Sequence, residues 1–419
     1  MATPDFPLAT AELRRLVDAG EVDTVVVAFT DMQGRLQGKR IHGQFFLDTV
    51  LDHGTEGCNY LLAVDVDMNT VDGYAISSRA TGYGDMEFVI DLSTLRHTRW
   101  LPGSVMVQAD LAWLDDAHTP VAQSPRQILK TQAGRGADRG LVALAGTELE
   151  FNVYDDTYEH AWKAGYQNLT PGNQYNVDYS LLGGSRVEPL LRDIRNHMYD
   201  AGLVVESAKG ECNLGQHEIA FRYADVVKTA DQHSVYKNAA KEIAALHGKS
   251  VTFMAKFDER EGNSCHIHMS VRGTEGSIVF DEGAGPTNVF EHFVAGVQAT
   301  LAEFTLLYAP NINSYKRYQP GSFAPTAIAW GRDNRTCALR VVGHGPGLRV
   351  ENRVPGGDMN PYLGLAGMLA GGLYGIEHEL EIEPPFEGNA YESDKPHVPS
   401  TLQQARDAFA GSSSTQGLR

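Results

Sequence analysis

In the segment Glu148-Leu149-Glu150-Phe151-Asn152-Val153, apolar residues alternate with polar ones. A strand would therefore place both glutamates on one face, about 7 Å apart. Two such carboxylates repel unless water or a metal ion lies between them, and the pair alone fits an exposed sheet face equally well. His266 and His268 alternate with Ile267, Met269 and Val271. That His-x-His spacing can chelate, but a lone pair of this kind is more often structural. Arg349, Glu351 and Arg353 share a third strand face, which by itself reads as an ion-pair ladder. Glu211 and Glu218 flank a bend at Gly215. Together these segments bring five carboxylates and a histidine, His266, onto separate strands. Such oxygen-rich donors select Mg²⁺ or Mn²⁺ over zinc, and two divalent ions would nearly neutralise a charge of about minus five. Arg317, Arg332, Arg335, Arg340, Arg349 and Arg353 add the guanidiniums that suit phosphoryl transfer.

Two nucleotide-loop signatures fail. Gly248-Lys249-Ser250 ends like a P-loop, but Ile243 stands where the first glycine is required and the segment follows a helix. Gly343, Gly345 and Gly347 are too closely spaced for a dinucleotide loop and lead into an alternating strand.

The elements that must carry these residues follow from periodicity and turn chemistry. A short helix from Thr10 ends near Gly20. Thr24 to Phe29 and Leu36 to Ile41, separated by turn residues, read as a hairpin, with further strands at Leu61 to Val66, Glu87 to Ile90 and Val105 to Ala109 and a helix at Leu47 to His53. Ser124-Pro125 opens a helix at the start of a larger domain. There, strands fit Val142 to Tyr154, Gly215 to Tyr223, Val251 to Phe257, His266 to Val271, Ala338 to Val342 and Leu348 to Val354. Helices fit Glu188 to Ala201, Ala224 to His247, Asn288 to Tyr308 and Pro361 to Glu379. Without regular βαβ alternation, an α+β fold with an antiparallel sheet backed by helices is expected. Glu379 to Asp394 reads as a surface loop and Gly411 to Arg419 as a flexible tail.

The chain has 419 residues and a formal net charge of −18, with 35 Lys plus Arg against 53 Asp plus Glu and no basic run. This composition suits two or three globular units and argues against a nucleic-acid or anionic-membrane surface. Cys58, Cys212, Cys265 and Cys337 are scattered, and the longest apolar stretch, Leu363 to Ile376, is short and broken by glycine. A cytoplasmic protein is expected.

The ordered set Glu148-Leu-Glu150, Glu211 through Gln216-His217-Glu218, Cys265-His266-Ile-His268-Met-Ser270, Asn313-Ser-Tyr-Lys-Arg317, Asn334-Arg335 and Arg349-Val-Glu351-Asn-Arg353 resembles the type I glutamine synthetase family, from about Thr24 to Phe409. The resemblance implies a β-grasp N-terminal domain over residues 1–110 and a catalytic domain over 118–419, whose curved antiparallel sheet forms half of a site shared between subunits. It implies activation of L-glutamate by ATP as γ-glutamyl phosphate and attack by a nitrogen nucleophile, with two or more Mg²⁺ or Mn²⁺ ions per site. Residue by residue, it assigns Glu150, Glu211 and Glu218 to one metal and Glu148, His266 and Glu351 to another. His268 and Ser270 would meet the ATP phosphates, and Glu206 and Tyr223 the nucleoside. Gly262, Arg317 and Arg353 would contact glutamate, and Arg335 and Arg340 would stabilise the transferring phosphoryl group. Glu218 and Tyr223 have opposite parity, so Tyr223 can serve only if the strand bends or ends before it.

The departures are specific. The family carries a glutamate in the flap after Asn-Ser-Tyr-Lys-Arg, whereas Gly321-Ser322-Phe323-Ala324-Pro325 places a phenyl ring there, which cannot act as a base. Its π face can pack on an alkylammonium. Glu56-Gly57-Cys58-Asn59 replaces the family's Asp-Gly-Ser-Ser, and Glu261-Gly262-Asn263-Ser264 its Asn-Gly-Ser-Gly. The expectation is a γ-glutamyl-amine ligase that uses a monoamine such as ethanolamine, with a polyamine left open by Glu56, Glu261 and the overall charge. Alternatives are a true glutamine synthetase using another base, and a silent relative that regulates or scaffolds. A complete ligand set kept on core strands argues against the last. A hexameric ring is expected, the double ring being in doubt because the chain after Phe409 lacks the family's helical segment. Tyr391 lies roughly where some bacterial members are adenylylated, and it reads as an exposed loop residue.

Overall fold

The structure, a computed structural model, describes residues 6–412, so most of the expected tail, 413–419, lies outside the described residues. The chain forms two compact units. One holds the chain up to Ile128 with Leu190–Val205 and Asp231–Leu246; the other holds Leu129–Pro189, Glu206–Ala230 and the chain from His247 onward.

The first unit is built on five strands, β1 (Thr24–Thr30), β2 (Leu36–His42), β3 (Thr55–Cys58), β4 (Asp85–His97) and β5 (Ser104–Trp113), in the order β2-β1-β5-β4-β3. β1 and β2 form the expected antiparallel hairpin, and β1 and β5 run parallel. The hairpin turn is fixed by buried Asp31, whose carboxylate accepts from the Gln33 and Arg35 backbone N–H groups and from the Arg35 guanidinium. Val25, Val27, Phe29, Val105 and Val107 fill the core on one side of this sheet. The strand expected at Leu61 to Val66 is absent. Asn59–Leu62 form a single 3₁₀ turn, held by the Asn59 amide on the Ile76 carbonyl, and of the buried Leu62, Ala63 and Val64 only Val64 pairs, in an isolated bridge with Thr70. An apolar run reports burial, and only pairing makes it a strand.

Among the described residues the second unit carries, apart from Val205 at the start of β7, nine strands: β6 (Leu141–Tyr154), β7 (Val205–Gly210), β8 (Gln216–Phe221), β9 (Ala224–Asp225), β10 (Ser250–Thr252), β11 (Cys265–Gly273), β12 (Trp330–Arg332), β13 (Leu339–Val342) and β14 (Arg349–Asn352). The main path is β12-β13-β14-β11-β6-β8-β7, with β9 and β10 also on β6. β13 to β8 pair antiparallel along this path, whereas β12 and β13 run parallel. The strand expected to Phe257 stops at Thr252, because the Ala255 carbonyl turns to accept the Asn263 N–H. Glu379 to Asp394 is more than a surface loop: Phe386 and Ala390 pack on Ala327, Ala329 and Cys337. An additional helix, Leu402–Gly411, buries Ala405 and brings Phe409 to 6.4 Å from Phe304.

Helices Asn288–Tyr308 and Pro361–Glu377 supply much of this core. Thr287 caps the first, accepting from the Phe290 N–H, and Asn360 caps the second ahead of Pro361. Their backbones touch, since a Cβ on Gly296 would lie 2.2 Å from the Gly371 carbonyl oxygen. Among the described residues, no helix is long and apolar enough to cross a membrane.

Candidate active site

The antiparallel register places the predicted polar residues side by side. Arg340 on β13 faces Glu351 on β14, which faces His268 on β11; His266 on β11 faces Glu148 on β6, and Glu150 on β6 faces Glu218 on β8. Five neighbouring strands thus build one polar surface from residues up to about two hundred positions apart. Gly146 sits opposite His268, and a Cβ there would lie 3.7 Å from the Tyr223 Cβ.

On one side of this surface the carboxylates are clamped. Glu351 is fully buried and bonds Arg340 at 2.9 Å and Arg353 through its other oxygen. His266 Nδ1 lies 3.4 Å from both Glu148 and Glu351, and His268 Nε2 lies 2.9 Å from Glu148. Arg349 Nε donates to His268 Nδ1 at 3.1 Å, which leaves the Nε2–H of a neutral ring to donate to Glu148. Burial opposes ionisation of Glu148 and Glu351, yet His266 and His268 hold the first, and His266 and Arg353 the second, below the ordinary carboxylate range. Burial, helped by Arg353, pushes His266 down to about 4. Its Nε2 is buried without a hydrogen-bond partner.

On the other side the carboxylates crowd one another. Oxygens of Glu150, Glu211 and Glu218 converge within 4.8 Å. Burial and then Glu211 push Glu150 up to about 7; burial and then Glu148 push Glu218 well above its ordinary value. Burial also raises Glu211, although Lys209 pulls against it. The compensating donors are few: Gln216 Nε2 at 3.1 Å and the Ser264 N–H at 2.6 Å on Glu150, and the Lys209 ammonium on Glu211. Two buried carboxylates and the partly buried Glu211, lacking a full set of donors, fit a hard divalent cation.

Two cavities open on these strands, and Glu148 lines both. One, of about 310 Å³, is lined by Glu206, Tyr223, His268, Ser270 and Arg349. The parity objection to Tyr223 disappears because β8 ends at Phe221, so Tyr223 enters this wall from the connection to β9. The other, of about 270 Å³, gathers Glu150, Glu211, Glu218, His266, Gly262, Arg317, Arg335, Arg340 and Arg353. Glu351 stands behind it. Arg317 donates to the Val354 and Arg353 carbonyls at 2.8 and 3.1 Å, which fixes the two arginines side by side. A Cβ on Gly262 would lie 2.0 Å from the Ala255 carbonyl oxygen and 3.0 Å from Arg317 Cγ, so this position requires glycine.

The second cavity carries two of the departures, those at Phe323 and Glu261. Phe323 is 59% exposed and Tyr179 72%. Tyr391 is not the freely exposed loop residue expected: it is half-buried, and its hydroxyl donates to the Ser322 carbonyl beside Phe323. Sequence reasoning missed Lys209, Asp178 and Tyr179, which line this cavity. The only signal was the two-residue spacing of Lys209 from Glu211.

Residues 122–417 match the profile of the glutamine synthetase catalytic domain. The chain belongs to the glutamine synthetase family. It is 64% identical over 406 residues to γ-glutamylethanolamide synthetase GlnA4 of Streptomyces coelicolor, covering 97% of this chain and 87% of that one. It is 35% identical to glutamate–isopropylamine ligase of a Pseudomonas species, over 96% and 88% of the two chains. A solved structure described as a GmaS/ADP complex superposes with a TM-score of 0.84 at 25% identity, over 97% and 92%. The glutamine synthetase family generally uses ATP and divalent metals, and its fold accounts for the strand order that assembles this site.

Proposed function

We propose that the protein is an ATP-dependent ligase that activates L-glutamate as γ-glutamyl phosphate and transfers the γ-glutamyl group to an amine, releasing ADP and phosphate. The similarity to relatives named for ethanolamine and isopropylamine chemistry supports this reading. The observation that carries the choice of acceptor is Phe323 at the cavity mouth, where a phenyl ring can neither bind nor deprotonate ammonium as a carboxylate would.

The residues divide the work by position. Glu206, Tyr223, His268 and Ser270 bind the nucleotide in the first cavity. Arg317 and Arg353, with the close-packed Gly262 backbone, hold the glutamate carboxylate in the second. Glu150, Glu211 and Glu218 form one divalent-cation site and Glu148, His266 and Glu351 another; Mg²⁺ or Mn²⁺ suits these donors. When bound, such cations supply charge neutralisation for the phosphate oxygens. The γ-carboxylate oxygen bonds to the γ-phosphorus as the bond to ADP breaks, and Arg335 and Arg340 face the transferring group. The amine nitrogen then bonds to the carbonyl carbon, the phosphate leaves, and one proton is released. His268 lies close enough to Glu148 to serve either the nucleotide or the adjacent cation.

A cytoplasmic, hexameric enzyme suits the remaining features. The four cysteines form no disulfide among the described residues. Between Tyr158 and Gly184, Trp162, Tyr166, Tyr175, Leu181 and Leu182 are all more than half exposed, an apolar surface of the kind covered by a second subunit. A two-domain division near residues 110–118 follows from the family resemblance.

Phosphate release from ATP plus glutamate, measured with ammonium and with a panel of amines, tests the function. Release with alkylamines and little with ammonium is expected. Ammonium as the best acceptor would make the protein a true glutamine synthetase, and no release with any acceptor would leave a silent relative. Phe323→Glu should raise kcat/KM for ammonium by about tenfold or more.

A further inference from the structure

The mouth of the second cavity contains a cation that none of the steps above uses. Lys209, at the end of β7, turns its side chain toward the site: Nζ pairs with Glu211 and lies 4.9 Å from the centre of the Tyr179 ring. Its side chain is 24% exposed. The ammonium therefore covers the aromatic face that would otherwise attract the far end of an incoming cationic amine, beside a carboxylate, Glu211, that serves the cation site. What remains at the mouth is the exposed ring of Phe323, the hydroxyl of Ser322 and the carboxylates of Asp178 and Glu261. Those two carboxylates can draw in one ammonium, the one that must reach the acyl carbon. A second ammonium on the same short chain would have to settle beside Lys209.

Resting on the ligase reading above, we propose that Lys209 sets acceptor selectivity, excluding amines that carry a second positive charge and admitting those whose tail is uncharged. The class of acceptor is a short monoamine or aminoalcohol, its tail against Phe323 and its nitrogen toward Asp178 and Glu261. A like charge a few ångström away in a partly solvated cavity disfavours the diamine by on the order of tenfold or more in kcat/KM.

The test compares three acceptors of equal chain length, 1-aminobutane, 4-amino-1-butanol and 1,4-diaminobutane, by ATP-dependent phosphate release with the wild-type enzyme, Lys209→Met and Lys209→Arg. The wild type should prefer both monoamines to the diamine by about tenfold or more. Lys209→Met should shrink that ratio, and Lys209→Arg should keep it. A purely structural role for Lys209 would lower all three acceptors together and leave the ratio fixed, which would overturn the proposal. Equal use of diamine and monoamines by the wild type would overturn it without any variant, so the test survives if Lys209→Met fails to fold. No release with any acceptor would instead overturn the ligase reading, and the selectivity with it.

Discussion

Two groups of glutamates on and beside the same sheet behave oppositely. Glu148 and Glu351 are surrounded by His266, His268, Arg340 and Arg353, and are held ionised. Glu150, Glu211 and Glu218 face mainly one another, with Lys209, Gln216 and one backbone N–H for relief, and are pushed toward the protonated form. Each group contains a buried carboxylate, Glu351 in one and Glu150 and Glu218 in the other, so the partners decide. The clamped group is a finished piece of structure that can also bind, whereas the crowded group stores a repulsion that a cation would relieve.

The contrast breaks most visibly at Glu351. Glu351→Ala leaves two guanidiniums without their buried partner and should lower folding stability by about 3 to 5 kcal/mol, measured by urea unfolding. An unchanged midpoint would mean that the clamp carries no structural load. The matching substitution in the crowded group should act in the opposite direction. Glu150→Gln should melt at or above the wild type in chelator, while ligase activity falls on the order of a hundredfold or more.

The same difference predicts a pH dependence. With Glu150 pushed up to about 7, against about 4.3 in an unfolded chain, the folded state keeps a proton that the unfolded state has released. Metal-free stability should therefore fall as pH rises from about 4.3 to 7. Millimolar Mg²⁺ should flatten that fall in thermal melts of the wild type and have less effect in Glu150→Gln. The smallest effect is expected away from both groups, at the flap. Tyr391→Phe removes one hydrogen bond to Ser322 and should raise KM for the amine about 2- to 10-fold with kcat little changed.

Much of this site was legible because its residues sit on regular strands. Alternation alone put Glu148 with Glu150 and His266 with His268, and pairing then brought those faces together. Legibility failed where the chain leaves regular structure. Tyr223 looked misplaced because parity was carried past Phe221, where β8 ends. The apolar runs at 61–66 and 253–257 resembled strands because burial and strand pairing leave the same hydrophobic signature. Lys209 and Tyr179 were invisible for another reason: a lysine and a tyrosine thirty residues apart acquire meaning only when the fold stacks one on the other.

The backbone contact between helices Asn288–Tyr308 and Pro361–Glu377 reaches further than packing. The first leads into the turn that carries Arg317, and the second follows the segment that carries Arg353. The Gly356 N–H also reaches back to the Tyr308 carbonyl at the end of the first helix. Glycines 296, 371 and 375, buried far along those helices, therefore act as a gauge block: by fixing how closely two rods approach, they help set the spacing of the two guanidiniums, and so the size of the anion that fits between them.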